Sequence, residues 1–213
     1  MQPKLICFDF DDTLTTENSW FNLNTAMGIF PEEDYAMYLE YKNGEVTYKE
    51  WTTKIENLYK ERGLATREKI TQALEQFTLR TDAIETINEL QSRGYEIIII
   101  SGSFDITIAH ASKILDITTF KAGTNIIFTE DGAFSHFVNY GEEDLTKLNQ
   151  LTEICKQKNI QLSDCVCVGD GANDLELFKA TGNGICFTNG SAEVKSAAKY
   201  QIENLIDLLT ILT

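Results

Sequence analysis

Short, strongly apolar segments recur along the chain and end at polar or glycine-rich residues. The predicted strands are Leu5–Phe10, Glu96–Ser101, a segment near Thr119–Ala122, Cys165–Gly169 and Gly184–Phe187. Because these segments are apolar at consecutive positions, we expect both of their faces to be buried, as in a parallel sheet covered by helices on both sides. Helical patterns separate the strands, so the sequence predicts an α/β fold with a doubly wound parallel sheet.

The interval between the first two predicted strands is too long for one crossover helix. It contains three helical stretches, Glu32–Lys42, Thr47–Arg62 and Thr66–Phe77. Thr47 is the predicted N-cap of the second stretch, and Glu50 completes its capping box. The interval therefore has the features of an inserted helical domain.

We assign residues 15–78 to this inserted helical cap domain, and residues 1–14 and 79–213 to the core domain. The core is expected to resume with a helix over Thr81–Arg93 that ends at Gly94.

A further segment, residues 125–138, has alternating apolar residues on both sides of Asp131-Gly132. This pattern predicts a β-hairpin. The hairpin is either a flap beside the functional site or a surface element without a role in it.

Composition and charge narrow the range of functions. With 213 residues, 43% of them apolar, the chain is long enough for one sizeable domain with an insert. Its formal charge of −15 would repel nucleic acid and anionic membrane surfaces, so we expect neither as a partner. A phosphorylated substrate is compatible with this charge if the site supplies local cations.

The sequence favours a cytoplasmic protein. Its start lacks the apolar region of a signal peptide, and the longest uncharged apolar run, Ile97–Ile100, is too short to cross a bilayer. The five cysteines include no C-x-x-C pair, and we expect most of them to be reduced and buried.

Three aspartates follow the first apolar segment, in Phe8-Asp9-Phe10-Asp11-Asp12-Thr13-Leu14. Asp9 and Asp11 are two residues apart, so their side chains are expected to point the same way while the strand persists. Ligand sites in open α/β sheets lie beyond the carboxyl ends of the strands. Two aspartates there repel each other unless a cation joins them. Without other motifs, a solvated turn with capping aspartates is an equally good interpretation.

A second acidic motif, Gly169-Asp-Gly-Ala-Asn-Asp174, follows the fourth predicted strand and places Asp170 and Asp174 at the same edge of the sheet. Four carboxylates converging there indicate a hard cation with oxygen ligands. Mg²⁺ is the usual choice when a phosphate supplies part of its coordination. The glycine-rich motifs of dinucleotide-binding and P-loop proteins are absent.

Two weaker signals accompany the acidic motifs. Ser101-Gly102-Ser103 ends the second predicted strand, where a hydroxyl and backbone N–H groups at a strand-to-helix turn can hold a phosphate. Lys147 lies at the start of the helix that precedes the fourth strand. A plain turn and a solvent-exposed lysine are the alternatives, and both signals gain weight only from the other motifs.

The four motifs, in this order, resemble those of the haloacid dehalogenase superfamily. The segment from Asp9 to Leu14 is similar to its first motif, Ser101 falls in its second, Lys147 matches its third, and Gly169-Asp170 with Asp174 matches its fourth. The insert is similar to the helical caps of the superfamily. Around Ser101 and Asp170 the sequence most resembles the phosphoserine phosphatases and their close relatives.

The resemblance implies an Mg²⁺-dependent phosphatase that forms a phosphate ester on Asp9. Asp11 would protonate the leaving alkoxide and then deprotonate the hydrolytic water. Asp9 and Asp170 would hold Mg²⁺, supported by Asp174 and by the backbone carbonyl of Asp11.

The second and third motifs would bind the phosphate. Ser101, Gly102 and Lys147 fall in them, and Asn173 would hold the phosphate or orient its loop.

Several other functions compete with this interpretation. Dehalogenases of the superfamily lack an aspartate at the position of Asp11, and its ion pumps carry threonine there and require membrane spans. A receiver-like signalling domain has no helical insert after its first strand. The non-enzyme alternative is a degenerate protein that binds a phosphorylated ligand, although every expected catalytic position is filled.

The substrate is expected to be one small phosphomonoester, with phosphoserine as the first choice. Glu17, with Asn18 close to the same position, could hold its amine. Phosphoserine phosphatases use a cap arginine for the carboxylate, but Thr53 stands where we would expect it, and Lys54 or Arg62 would have to substitute.

Phosphocholine, phosphoethanolamine, a sugar phosphate or a nucleotide are the alternative substrates. The sequence is compatible with a monomer or a homodimer.

Overall fold

The fold is built around one seven-stranded sheet. A computed structural model of the chain describes residues 3–139 and 141–212. The strand order among these residues is β4-β3-β2-β1-β5-β6-β7. The strands are β1 (Leu5–Phe8), β2 (Glu96–Phe104), β3 (Thr119–Phe128), β4 (Phe134–Asn139), β5 (Cys165–Gly169), β6 (Gly184–Phe187) and β7 (Tyr200–Ile202). All neighbouring strands are parallel except β3 and β4, which confirms the predicted α/β class.

Helices cover both faces of this sheet. They are α1 (Ser19–Ala26), α2 (Pro31–Lys42), α3 (Tyr48–Arg62), α4 (Arg67–Glu75), α5 (Ala83–Ser92), α6 (Asp105–Ile114), α7 (Glu143–Lys158), α8 (Leu175–Thr181), α9 (Ala192–Ala197) and α10 (Leu208–Ile211). Alternate residues of β1 belong to two different cores, with Ile6 and Phe8 in one and Leu5 and Cys7 in the other. In the described part of the chain, every helix is too short or too polar to be a membrane span.

The interval after β1 holds four helices, whereas the sequence analysis predicted three. The missed helix is α1, which has only eight residues and includes Trp, Phe, Asn and Thr, none of them strong helix formers. Its start is specified by Asn18, whose side chain accepts hydrogen bonds from the backbone N–H groups of Trp20 and Phe21. The predicted capping box of Thr47 and Glu50 at the start of α3 is confirmed.

The predicted strands differ from the observed ones mainly in length. β1 ends at Phe8 rather than at Phe10, so Asp9 and Asp11 both lie beyond the strand. β2 continues to Phe104 and contains the Ser101-Gly102-Ser103 segment, which was expected in a turn. The strand predicted near Thr119–Ala122 runs on to Phe128 and is itself the first strand of the predicted hairpin. The short edge strand β7 was not predicted.

The β3–β4 hairpin packs against the inserted helices. The backbone N–H of Arg67 donates to the carbonyl of Gly132 at 2.7 Å, and that of Phe134 donates to the carbonyl of Ala65 at 2.9 Å. Helices and hairpin share one apolar core, whose members include Trp20, Trp51, Tyr59, Phe104, Phe134 and Phe137. This core is separate from the two cores of the sheet.

The five cysteines are free thiols and all are buried, as predicted. Cys155 and Cys165 lie close together, with their sulfur atoms 3.4 Å apart. All five belong to the core on one face of the sheet, where they pack as small apolar residues.

A chain of buried polar side chains links three of the inserted helices. The Tyr59 hydroxyl donates to Asn24 Oδ1 at 2.6 Å, and Asn24 Nδ2 donates to Asp34 Oδ1 at 2.9 Å. Asp34 is 1% exposed. Burial raises the pKa of its carboxyl group to about 6, and the neighbouring Glu33 adds to the effect.

Replacing Asp34 by Asn should make the folding stability less dependent on pH. Because the folded-state pKa of Asp34 lies above its unfolded value, the folded wild-type protein loses stability as pH rises from about 4 to about 6. Asp34→Asn resembles the protonated carboxyl group, so it should be more stable than wild type at pH 7 by about 1–3 kcal/mol and equal to it near pH 4. Urea unfolding at several pH values measures this difference.

Glu32→Gln is the matched control, because it removes a carboxylate from the first turn of the same helix at an exposed position. Its stability relative to wild type should not increase with pH in the way expected for Asp34→Asn. A difference between Asp34→Asn and wild type that is the same at every pH would contradict the raised pKa of Asp34.

Candidate active site

The first residue beyond β1, Asp9, is held from two sides. Its Oδ1 accepts a hydrogen bond of 2.7 Å from the backbone N–H of Phe10, and its Oδ2 lies 2.8 Å from the ammonium group of Lys147. Asp9 is 4% exposed and Lys147 is 1% exposed. The backbone N–H and the ammonium group together give this buried carboxylate one fixed orientation.

Lys147 projects from α7 to the carboxyl ends of β1 and β5. Its ammonium group also donates to Asp174 Oδ1 at 2.8 Å. Burial alone would lower the pKa of Lys147, but the carboxylates of Asp174 and Asp9 outweigh this effect and hold its pKa above the ordinary value. The alternative interpretation of Lys147 as a solvent-exposed lysine is therefore wrong.

Asp174 is fixed by the loop that follows β5. Its Oδ2 accepts hydrogen bonds from the backbone N–H groups of Asp170 at 3.1 Å and Gly171 at 3.3 Å. Gly169, the last residue of β5, makes room for this carboxylate, since a Cβ atom there would lie 2.1 Å from Asp174 Oδ2. For this steric reason, the residue directly before Asp170 has to be a glycine.

Three carboxylates form a group that suits a metal ion. Oxygen atoms of Asp9, Asp170 and Asp174 all lie within 4.8 Å of one another. Asp170 Oδ1 also accepts a hydrogen bond of 3.2 Å from the Thr13 hydroxyl. Oxygen ligands of this kind fit a hard divalent cation.

Asp11 is not part of this group, although four converging carboxylates were expected. Because β1 ends at Phe8, the side chain of Asp11 turns toward the inserted helices. Its two oxygens accept hydrogen bonds from Ser19, one from the backbone N–H at 3.0 Å and one from the hydroxyl at 2.6 Å. The Ser19 and Ser103 hydroxyls are 2.6 Å apart, so this contact joins the first helix of the insert to β2.

Burial raises the pKa values of three carboxyl groups of the site. Burial raises the pKa of Asp11 to about 8, although the hydrogen bond from Ser19 opposes the shift. Burial, together with the charges of Asp9 and Asp174, raises the pKa of Asp170 to about 8, and burial raises that of Asp174 to about 6. Asp11 is therefore protonated at neutral pH and can donate a proton, while a cation bound by Asp170 and Asp174 would favour their ionised forms.

The predicted phosphate-binding residues lie around the same sheet edge. Ser101 and Gly102 are buried near the end of β2, where the pairing with β3 is irregular. The Ser101 hydroxyl accepts a hydrogen bond from the backbone N–H of Ser103 at 3.3 Å. A Cβ atom at Gly123 would lie 2.9 Å from the Gly102 Cα, so this glycine permits the close approach of the two strands. Asn173 is half-buried in the loop of Asp170 and Asp174.

A cleft beside Asp11 lies between the turn after β1 and helices α1, α4 and α6. Its lining residues include Phe10, Asp11, Glu17, Ser19, Asn22 and Gln76. Glu17 accepts a hydrogen bond of 2.9 Å from Asn22 Nδ2. Among the described residues that line this cleft there is no lysine or arginine.

The other predicted substrate residues lie away from the cleft lining. Asn18 caps α1 with its side chain. Lys54 forms an ion pair with Glu40, and Arg62 forms one with Glu33. The structure thus pairs Lys54 and Arg62 with carboxylates of the inserted helices rather than placing them in the cleft lining.

Several site residues were missed by the sequence analysis. The Ser19 hydroxyl contacts both Asp11 and the Ser103 hydroxyl. The Thr13 hydroxyl donates to Asp170, and the Arg80 guanidinium donates to the backbone carbonyl of Thr13. Thr13 and Ser103 lie within the first and second motifs, but no role was predicted for either side chain. Ser19 and Arg80 had no local signal, because their contacts depend on how distant segments meet.

Comparison with known proteins gives the class of this site. A family model described as haloacid dehalogenase-like hydrolase matches residues 3–182. The chain therefore belongs to the haloacid dehalogenase-like hydrolases.

Among curated proteins, the phosphoserine phosphatase of Methanocaldococcus jannaschii is similar to the chain. The two are 34% identical over 188 residues, which cover 87% of this chain and 86% of the relative. A phosphoserine phosphatase of Campylobacter jejuni is 29% identical over 200 residues, which cover 86% of this chain and 86% of that relative.

Solved structures agree with the sequence comparison. A phosphoserine phosphatase studied as a phospho-aspartyl intermediate analogue and a substrate-bound phosphoserine phosphatase complex each superpose with a TM-score of 0.82. Both are 30% identical to this chain, and the similarity covers 100% of either chain. The predicted resemblance to this group of hydrolases is confirmed.

Replacing Gly169 by Ala should disrupt the acidic group. The added Cβ would overlap the Asp174 carboxylate, which would be displaced from Lys147 and from its backbone donors. We expect the free energy of unfolding to fall by about 2–4 kcal/mol. We also expect binding of a divalent cation, measured by titration calorimetry, to be lost.

Gly94→Ala is the control for backbone strain alone. Gly94 has a φ of +86° and no atom within 4 Å of an added Cβ, so this change should cost about 1–2 kcal/mol but leave cation binding intact. A Gly169→Ala protein that binds the cation as tightly as wild type would contradict the steric role of Gly169.

Proposed function

We propose that this protein is a phosphomonoester hydrolase that transfers the phosphoryl group of its substrate to Asp9 and then to water. The observation that carries the proposal is the contrast between two neighbouring carboxyl groups. The Asp9 carboxylate lies 2.8 Å from the Lys147 ammonium group, whereas burial raises the pKa of Asp11 to about 8. A nucleophilic carboxylate next to a protonated one is the pair that such a reaction requires.

The roles of the two aspartates follow from their contacts. Asp9 Oδ1 and Oδ2 are held by Phe10 and Lys147, so the carboxylate is oriented before the substrate arrives. In the first step an oxygen of Asp9 attacks phosphorus, and Asp11 gives its proton to the departing alkoxide. In the second step Asp11 accepts a proton from the water that hydrolyses the aspartyl phosphate.

Mg²⁺ is the metal that we assign to the acidic group. Asp9 and Asp170 would hold it, supported by Asp174 and by the backbone carbonyl of Asp11. When bound, the ion neutralises charge on the phosphate and on the carboxylates. The donor set fits this assignment because all the ligand atoms are oxygens.

Phosphate binding is assigned to residues at the ends of β2 and β5. Lys147 offers a positive charge beside the acidic group of a chain whose net charge is −15. Ser101 and Gly102 would contribute a hydroxyl and a backbone N–H group, and Asn173 an amide. Residues 15–78 would act as the cap that closes over the leaving group and excludes water.

Phosphoserine is the proposed substrate. The support is the similarity to phosphoserine phosphatases over most of the chain, together with Glu17, whose carboxylate lines the cleft beside Asp11 and could hold an amine. The second candidate is an amino-alcohol phosphate such as phosphoethanolamine or phosphocholine. The cap holds Thr53 where a carboxylate-binding arginine is expected, and this favours it because it has no carboxylate to pair.

The hydrolase assignment is tested by metal dependence and by the nucleophile. Hydrolysis of p-nitrophenyl phosphate should require Mg²⁺, should stop in excess EDTA and should be suppressed by Ca²⁺, which prefers looser coordination. Asp9→Asn should lower kcat by more than about 1,000-fold, since no other group replaces the nucleophile.

Asp116→Asn is a matched control, because it makes the same chemical change at a surface turn. Full turnover in EDTA would contradict the metal assignment. A wild-type protein that binds phosphate esters without hydrolysing any of them would instead indicate the non-enzyme alternative.

The role of Glu17 is tested with two substrates. If Glu17 pairs with the substrate amine, Glu17→Gln should lower kcat/KM for phosphoserine by about 5- to 100-fold, the loss expected for a partner left unpaired. The value for p-nitrophenyl phosphate should stay within about twofold, because that substrate has no amine. Glu68→Gln, an exposed carboxylate on α4, should change neither value.

Equal losses on both substrates would show that Glu17 is not an amine partner. The same assay with wild-type protein also compares phosphoserine with phosphoethanolamine. A clear preference for phosphoethanolamine would replace the first substrate candidate by the second and leave the hydrolase assignment intact.

A further inference from the structure

Arg80 lies just before α5, yet its side chain binds the turn that follows the nucleophile. Its Nε donates to the carbonyl of Thr13 at 2.8 Å, and its Nη2 donates to the carbonyl of Asp12 at 2.7 Å. The Arg80 backbone N–H donates to the carbonyl of Leu14 at 2.8 Å. One residue therefore binds three consecutive carbonyl groups of this turn.

The N–H groups of the turn bond within the turn, to one shared acceptor. The backbone N–H groups of Thr13, Leu14 and Thr15 all point to the single carbonyl of Phe10, at 2.9–3.2 Å. Asp12 has a φ of +55°, which is unfavourable for a residue with a side chain. The carbonyls of Asp12 and Thr13 face away from the turn toward Arg80, so the guanidinium stabilises a strained backbone conformation.

Two chemical groups depend on this conformation. Asp11 comes directly before the strained residue, and the direction of its side chain follows from the backbone at that point. Thr13 comes directly after it, and its hydroxyl donates to Asp170 Oδ1 in the acidic group. A change in the turn would therefore move Asp11 relative to the leaving group and loosen the link to Asp170.

The guanidinium itself is held by an aromatic ring. Its central carbon lies 4.1 Å from the centroid of Phe187, at the end of β6. Phe187 is buried, so this surface is rigid. Lysine cannot replace such an arginine, because an ammonium group lacks the planar fork that reaches two neighbouring carbonyls while stacking on a ring.

We propose that Arg80 is a positioning residue for the hydrolysis reaction, and that its forked hydrogen bonds hold the turn of Asp12 and Thr13 so that Asp11 faces the leaving group. The proposal rests on the proposed function of Asp11 as general acid. It assigns to Arg80 no contact with substrate.

The test compares Arg80→Met and Arg80→Lys on an alkyl phosphate and on p-nitrophenyl phosphate, with phosphoserine as the alkyl substrate. Both variants should lower kcat for phosphoserine by about 10- to 100-fold, the effect of a small misplacement of a catalytic group. The loss for p-nitrophenyl phosphate should be at least about threefold smaller, because its leaving group needs little protonation. KM should change by less than about threefold, since Arg80 does not touch substrate.

Two further variants make the result specific. Arg93→Met is the matched control, because the Arg93 guanidinium also donates to two backbone carbonyls, those of Leu209 and Leu212. Arg93 lies at the opposite end of α5 from Arg80. It should affect stability without changing the ratio of the two substrates. Phe187→Leu removes the ring under Arg80 and should give a smaller loss with the same substrate dependence, which keeps the test valid if Arg80→Met does not fold.

The outcomes separate this inference from the proposed function. Equal losses on both substrates, or full activity in Arg80→Lys, would overturn the positioning role of the fork. Asp11→Asn is measured in parallel. If that variant shows no leaving-group dependence, or if wild-type protein hydrolyses neither substrate, the proposed function itself fails and this inference fails with it.

Discussion

The ion pairs of Lys147 with Asp9 and Asp174 are the interaction on which the rest of the site depends. The three side chains come from α7, from the end of β1 and from the loop after β5, and all three are buried. Removing the lysine or one of the aspartates would leave an uncompensated charge in the protein interior, which costs about 3–5 kcal/mol. The pairs therefore tie the correct folding of three distant segments to the arrangement of the acidic group.

The early end of β1 separates two aspartates that are close in sequence. If the strand had continued to Phe10, Asp9 and Asp11 would share one direction and raise each other's pKa. Instead the backbone leaves the strand at Asp9, so one carboxyl group meets a buried cation and the other meets Ser19 and a poorly solvated cleft. Different environments, rather than different residue types, distinguish the two groups: Asp9 is paired with Lys147, and burial raises the pKa of Asp11. The turn that produces this separation is strained, which is why its carbonyl groups need a partner such as Arg80.

Features with a local physical cause could be predicted from the sequence, and features made by long-range contacts could not. The capping box of Thr47 and Glu50, the apolar strands and the turn at Gly132 depend on neighbouring residues, and all are observed. Helix α1 is short and gains its stability from packing, so its pattern was too weak to detect. Asp9, Asp170 and Asp174 could be expected to meet because parallel strands align their carboxyl ends. No such rule predicts the hydrogen bonds of Ser19 to Asp11 and of Arg80 to Thr13, because they depend on how distant segments pack on the sheet.

The shared core of the inserted helices and the β3–β4 hairpin has a consequence for exchanging parts between related enzymes. Phe134 and Phe137 of the hairpin pack with Trp20 and Tyr59 of the helices, and the two segments are also joined through backbone hydrogen bonds. A chimaera that received only residues 15–78 from another protein would face foreign aromatic rings along this contact, and their mismatch would cost stability as any poorly packed core does. The unit that can be transplanted is therefore discontinuous, with one piece after β1 and another at the edge of the sheet. Sequence divergence in the two pieces should be correlated for the same reason.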